Sequence, residues 1–451
     1  MKYFLAFCRL FVGSLFIVSG LIKANDTLGF SYKLEEYFHE SALNLPFFEP
    51  WALELAILAC VGEIILGFAL LFGAKMRLAT LSLLALTVFF GWLTLYTANC
   101  DPSATYTTIV NGEEVVKSVT CVTDCGCFGD AMKGSIGRSL TPWESFYKDL
   151  VLFIFLLPVL IMQFVKGETP LNTDQDDKLF FPLSLLFVGF FSYIFTWFFP
   201  VFVTAIGYAG YFLLRRWKGN NSQWFSAAWI TILAFGICYW TYNHLPIRDY
   251  RPYAVGKNIE EGMKSAEELG LQPPKYGYIY TMKNKSTGEQ TEISDAIYIE
   301  QKWWEKPEWE MVSDLTRQIK ISDGYEPPIH DFVLFDNDGN DRTYSLLGEE
   351  RVFLLFAYDI KKTDGSVMAK VNELAEAANQ AGVTFIGLTA GTYDDVNNFR
   401  HDNQTQFPFW SGDGTVLKTV IRSNPGLVEL KKGTVVGKWH ANDLPSASEL
   451  F

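Results

Sequence analysis

The chain has 451 residues, room for roughly two to four domains, and its 37 Lys and Arg face 50 Asp and Glu for a net charge of −13. That balance argues against a nucleic-acid surface, and the sequence shows no basic patch, no glycine-rich phosphate loop and no Walker motif. The averages conceal two unlike halves: long runs of Phe, Leu, Ile and Val up to about residue 245, then an ordinary charged, turn-punctuated sequence.

The first element, "MKYFLAFCRLFVGSLFIVSGLIK", has the look of a signal peptide, but its apolar stretch is long, Arg9 interrupts it early and no small-x-small site follows. Phe7 and the early Cys8 also make it a poor lipoprotein signal, so it is expected to remain as a membrane span. A hydrocarbon core of ~30 Å needs about 20 apolar residues. On that rule seven helices are predicted, over 3–22, 51–73, 77–97, 147–165, 179–198, 201–215 and 223–243. Between the fifth and sixth, Pro200 marks either a hairpin turn or a kink in a re-entrant pair. The basic connectors "GAKMR" and "RRWKG", with Lys2 and Arg9, predict a cytoplasmic N-terminus. Helix parity then puts loops 23–50 and 98–146, and everything after 244, on the periplasmic side of a bacterial inner membrane.

Four of the seven cysteines, Cys100, Cys121, Cys125 and Cys127, fall in the second outer loop, on the side where disulfides persist. Cys8, Cys60 and Cys238 sit inside apolar helices and read as small hydrophobes. Within the membrane the sharpest residue is Glu63, because a carboxylate at mid-span needs a partner or a cavity. Lys23 and Arg9 are its two candidate partners.

Past the last span, a proline-punctuated connector leads to a predicted hairpin over 276–310 that turns at 286–288. A tryptophan cluster follows (Trp303, Trp304, Trp309), expected in a small core. From about 327, strands and helices alternate: "HDFVLFDNDGN", "RVFLLFAYDI", a helix stopping at Gly382, "VTFIGLTA", a helix capped at Thr392 or Asp394, then two strands around Lys432 and Gly433. His330, His401 and His440 lack ligand spacing; His39, in the first outer loop, could shuttle protons but reads better as a solvated loop residue.

Two resemblances rest on these residues. "RLFVGSLFIVSGLIKANDTLGFSYKLEEYF" and "GEIILGFALLFGAKMR" resemble the first two helices of the DoxX/MauE membrane family, with Ser19, Gly20, Lys23, Tyr37 and Glu63 in recognisable places. "DCGCFGD" followed by "YKDLVL" resembles its MauE branch. That resemblance implies periplasmic thiol chemistry with a link to quinone. Residues 327–445 resemble thioredoxin-like domains of the TlpA type, with Pro425 where that family has its cis-proline. The redox pair is missing: after "FLLFAY" the chain reads "DIKKTD".

The expected architecture is multi-domain: a helical membrane bundle and a periplasmic α/β thioredoxin-like domain. Its parts are a four-helix region (1–165), three added helices (166–245), a β-rich subdomain (246–325) and the thioredoxin-like domain (326–451). The expected function is a quinone-coupled thiol–disulfide oxidoreductase. Cys125 and Cys127 would exchange with an exported client, as in oxidases of the DsbB kind, while Cys100 and Cys121 pass electrons on. Asp124 and Asp130 oppose thiolate formation there. Glu63, Lys23 and Tyr37 would hold the quinone headgroup or handle protons. Each expectation has a plainer rival: two static disulfides pinning the loop, a packing ion pair at Glu63, and a non-catalytic subunit that holds partners of an envelope complex through the C-terminal domain. A zinc or iron–sulfur site lacks a nearby His, and a transporter lacks an inverted repeat.

Overall fold

A computed structural model of the chain describes residues 2–101, 104–110, 113–122, 126, 128–165, 167, 171–312 and 316–451. Among the described residues, seven long helices build the first half: α1 (Lys2–Asn25), α3 (Ala52–Phe72), α4 (Met76–Ala98), α6 (Pro142–Val165), α7 (Asp174–Ile194), α8 (Phe199–Lys218) and α9 (Ser222–Asn243). Two shorter ones intervene, α2 (Thr27–Phe38) and α5 (Ala131–Ile136), with a hairpin of β1 (Thr105–Val110) and β2 (Glu113–Ser118). All the long helices but α8 are long and apolar enough to cross a membrane. α8 has the length, but its last turn carries Arg215, Arg216 and Lys218, which suit the negative end of the helix dipole.

α1 runs through the middle of the bundle, packed on α3, α6, α7 and α9. Glycines make the α1–α3 contact close: a Cβ on Gly13 would lie 2.9 Å from the Gly67 carbonyl oxygen, and one on Gly67 2.8 Å from that of Gly13. Outward faces stay apolar, with Leu150, Ile154, Ile161 and Phe164 of α6 exposed, as a lipid-facing surface requires. α7 and α8 form a hairpin through residues 195–198, so Pro200 sits in the first turn of a new helix, where its missing N–H costs nothing.

After α9 come α10 (Ile259–Met263) and a sheet in which β3 (Lys275–Asn284) pairs antiparallel with β4 (Gln290–Ser294), β5 (Trp309–Met311) and β6 (Arg317–Ser322). The final unit comprises β7 (Leu334–Phe335), α12 (Thr343–Leu347), β8 (Val352–Phe356), α13 (Met368–Gln380), β9 (Thr384–Thr389), α14 (Tyr393–Asp402), β10 (Phe409–Gly412), α15 (Gly414–Val420), β11 (Gly426–Lys431) and β12 (Thr434–His440). Its sheet order is β12-β11-β8-β9-β10-β7, with β8, β9 and β10 parallel and β11 and β12 antiparallel. A parallel core with a terminal antiparallel hairpin is the thioredoxin-like arrangement, and the Asn424–Pro425 peptide is cis. Thr392, not Asp394, caps α14.

The departures from expectation are local. The first outer loop contains α2, started by Asp26, whose side chain accepts from the Gly29 N–H. The second strand of the predicted hairpin ends early, because Ser294 caps α11 (Asp295–Glu300). None of the three tryptophans is buried; Trp304 is 54% exposed, and Trp303 and Trp309 make an edge contact at 5.2 Å. That sheet is too small to enclose three indoles.

Candidate functional site

The bundle holds a buried charge site between α1, α3, α4 and α6. Ser19 and Lys23 lie one turn apart on α1, so both face Glu63 on α3. Lys23 Nζ donates to both Glu63 oxygens at 2.8 Å and to Ser19 Oγ at 2.8 Å, while Ser19 Oγ donates to Glu63 Oε2 at 3.0 Å. The pair is out of solvent, Lys23 4% and Glu63 1% exposed. Arg9, the other expected partner, goes elsewhere: its guanidinium donates to Leu70 O at 3.0 Å and Asn172 Oδ1 at 2.7 Å.

A cavity of about 20 Å³ adjoins this pair, lined by Phe16, Phe90, Phe128, Lys148 and Asp149 among others. Lys148 contacts Asp149, whose Oδ2 is buried without a hydrogen-bond partner among the described residues. Both residues belong to the "YKDLVL" stretch of the sequence and lie six and seven residues inside α6, which begins at Pro142 rather than at 147. The intramembrane-carboxylate rule that singled out Glu63 applies equally to Asp149. Tyr37 is not among the cavity residues: it packs with Phe90, Leu93 and Val122, and its hydroxyl lies 3.2 Å from Thr97 Oγ1.

Cys100, just past the end of α4, forms a disulfide with Cys121 across a separation of 21 residues, Cα–Cα 5.7 Å. The Cys121 side is anchored by the Thr120 N–H, which donates to Ser41 O at 3.0 Å, and by Val122, buried against Tyr37. Cys125 and Cys127 lie outside the described residues. Their chain neighbours Gly126 and Phe128 line a cleft of about 1040 Å³ at this end of the bundle, and Lys23 and Phe128 border both the cleft and the small cavity.

The C-terminal unit forms the opposite wall of that cleft. Arg422 donates through Nε to both oxygens of Asp26 at 3.0 Å, and the Tyr32 and Tyr358 hydroxyls lie 3.0 Å apart. Burial would raise the Asp26 carboxyl, but the Arg422 and Arg251 guanidiniums outweigh it and hold the group below its usual range. Tyr358 follows β8, and Asn424 donates to Asp359 O at 2.8 Å. The face where a thioredoxin fold keeps its redox pair, here Asp359 to Lys362, therefore borders α2. Sequence reasoning missed Asp26 and Arg422, which are separated by 396 positions with no local pattern linking them.

Residues 1–103 match the family model of methylamine utilisation protein MauE. The match ends before Cys121, so the cysteine motif, α6 and the C-terminal unit lie beyond it. No curated protein matches the chain. Among solved structures, the bacterioferritin comigratory protein of Xanthomonas campestris, described for its alkyl peroxide reduction activity, is 16% identical with a TM-score of 0.20, covering 26% of this chain and 84% of its own. A structure of peroxiredoxin Q from the same organism is 15% identical with the same TM-score of 0.20 and covers 26% of this chain and 84% of its own. Likenesses that weak say nothing about what this chain does; the thioredoxin-like fold stands on its strand order.

Proposed function

We propose that this MauE-like membrane protein is a thiol–disulfide oxidoreductase acting at the end of the bundle that carries the cysteine loop. In the reaction a client thiolate attacks a loop disulfide, a mixed disulfide forms, and the second client thiol displaces the loop thiol. The client leaves with one disulfide, and the loop keeps two electrons and two protons as a dithiol. The observation that carries the reading is the cavity beneath Phe128, where Lys23, Glu63 and Asp149 collect ionisable groups beside the residue that follows Cys127. Such groups suit the proton traffic that dithiol reoxidation demands.

A membrane quinone is the acceptor proposed for that reoxidation. Lys23 and Ser19 have the donor chemistry to hold a quinone carbonyl. A cavity of about 20 Å³ nevertheless admits a water and not a ring, so the side chains as they stand do not fit the headgroup and no step is derived through it. Orientation is part of the proposal. Lys75, Arg77, Arg215 and Arg216 gather at the end opposite the cysteine loop, which supports a cytoplasmic placement of that end and a periplasmic placement of the cleft in an inner membrane.

A second reading has its own support. The C-terminal unit has no cysteine and is clamped to α2 by a largely buried ion pair, as a scaffold that presents partners would be. Differential alkylation with mass spectrometry in native membranes, with the quinone pool oxidised or reduced, separates the two. A loop pair that changes state with the pool, and a Cys125→Ser variant that cannot oxidise thiols, belong to the oxidoreductase. Cysteines oxidised under both conditions, with no redox phenotype on substitution, leave the scaffold.

A further inference from the structure

The floor of the outer cleft buries more positive than negative charge. Three cations meet there: Arg251 from the connector (3% exposed), Arg422 after α15, and Lys438 from β12 (side chain 3% exposed). Two carboxylates answer them. Asp26 accepts from Arg422, while Asp249 accepts from Arg251 Nε at 2.7 Å and Lys438 Nζ at 2.6 Å. Backbone carbonyls take other donors: Arg251 Nη1 to Thr419 O at 3.0 Å, Lys438 Nζ to Val420 O at 2.6 Å, and Arg422 Nη1 to Lys418 O. Of the other carboxylates at the cleft, Asp130 is paired with Lys133 at 3.6 Å and Glu35 lies in the field of Lys418 and Lys362.

One strong donor is left over. Arg251 Nη2 is buried and has no hydrogen-bond partner among the described residues, although Arg251 and Arg422 both line the cleft. A buried guanidinium N–H left without an acceptor is costly, and the planar N–H groups of the fork match an oxyanion. Lys418 adds a half-buried ammonium at the same wall, 4.9 Å above the Tyr32 ring.

We propose that Arg251 and Arg422, with Lys418 at the edge, form a subsite for a carboxylate-class oxyanion at the junction of the bundle and the C-terminal unit. The source is either a free small anion or the carboxylate of a polypeptide lying in the cleft. The subsite does not depend on the redox reading.

The test uses full-length protein in detergent, with thermal unfolding followed as acetate replaces chloride at constant ionic strength. Acetate is expected to stabilise the protein, and Arg251→Gln to weaken its apparent affinity at least tenfold. Arg138→Gln, at an exposed pair with Glu144, is expected to leave that affinity unchanged. A short peptide with a free C-terminal carboxylate, run beside its amide, identifies the source. An acid form binding tenfold tighter than acetate points to a polypeptide; parity with acetate points to a free anion. No stabilisation beyond chloride, or equal affinity in Arg251→Gln and the parent, overturns the proposal. Should Arg251→Gln fail to fold, Lys418→Gln takes its place, and an unchanged affinity there also overturns it.

Discussion

Glu63 and Lys23 show how ionisable side chains survive in an apolar bundle. Each is the other's hydrogen-bond partner, Ser19 contacts both, and the Lys23 ammonium also lies 5.5 Å from the Phe90 ring. Removing one partner strands the other. Glu63→Gln should therefore destabilise the protein by about 3–5 kcal/mol in detergent unfolding, while Lys23→Met with Glu63→Leu should recover most of that loss. If the pair only packs, the double variant keeps thiol oxidation; if it handles protons, the double variant stays inactive. Lys438 supplies a pH signature. Burial and the nearby Arg251 charge push its ammonium down to about 8 despite Asp249, against an ordinary value of 10.5. Between these values the unfolded chain holds the proton and the folded chain releases it, so stability rises with pH across that window. Lys438→Met should flatten the rise in melting temperature measured from pH 8 to pH 10; a rise that persists assigns it to another group.

At the scale of elements, the approach of α1 to α3 sets the site. A Cβ on Gly20 would meet Ile64 Cγ1 at 2.8 Å and Glu63 Cβ at 3.1 Å. Gly20→Leu should force the helices apart and cost about 1–3 kcal/mol, with a larger loss of activity because Lys23 and Glu63 separate. A variant as stable and active as the parent would show that the crossing is not needed. The Cys100–Cys121 link closes a loop whose removal should cost about 3 kcal/mol in unfolding by chain entropy, seen as a lower melting temperature in Cys121→Ser. The long helices were legible because apolar runs of span length are a local property. α2 was not, since "TLGFSYKLEEYF" has neither span length nor a clean stripe; Asp26 at its N-cap was the one readable signal. The burial of Asp149 was not legible, because it lies beside Lys148 near the predicted start of the fourth span, where a charged pair reads as interfacial; the packing of α6 on α4 decides that it faces inward.

For the molecule as a whole, the C-terminal unit is a wall of the cleft and not an appendage. Asp26 is held below the usual carboxylate range, so its pairing with Arg422 is fully present above pH 3.8 and weakens only as pH falls through the lower folded value. The contribution of this pair to docking should therefore be indifferent to pH between 5 and 8. Arg422→Met should loosen it at every pH by leaving Asp26 uncompensated, seen as faster proteolysis in the connector around residues 244–258. Unchanged cleavage would mean that the remaining contacts, among them Tyr32–Tyr358, Asp249–Lys438 and His244–Asp443, suffice to hold the unit.

The amino-acid order alone indicated a membrane half and an α/β half, the cysteine loop and the proline at the turn before β11. Each of these is written in neighbouring residues, through apolar run length, caps, alternation and spacing. The partners in the site are not. Lys23 with Glu63, Cys100 with Cys121, and Asp26 with Arg422 are 40, 21 and 396 positions apart. Which pairs meet depends on where helices cross and how the C-terminal unit docks, and long-range packing sets both. Arg9 and Lys23 were equal candidates for Glu63 until the crossing of α1 and α3 placed one beside it and turned the other toward Asn172.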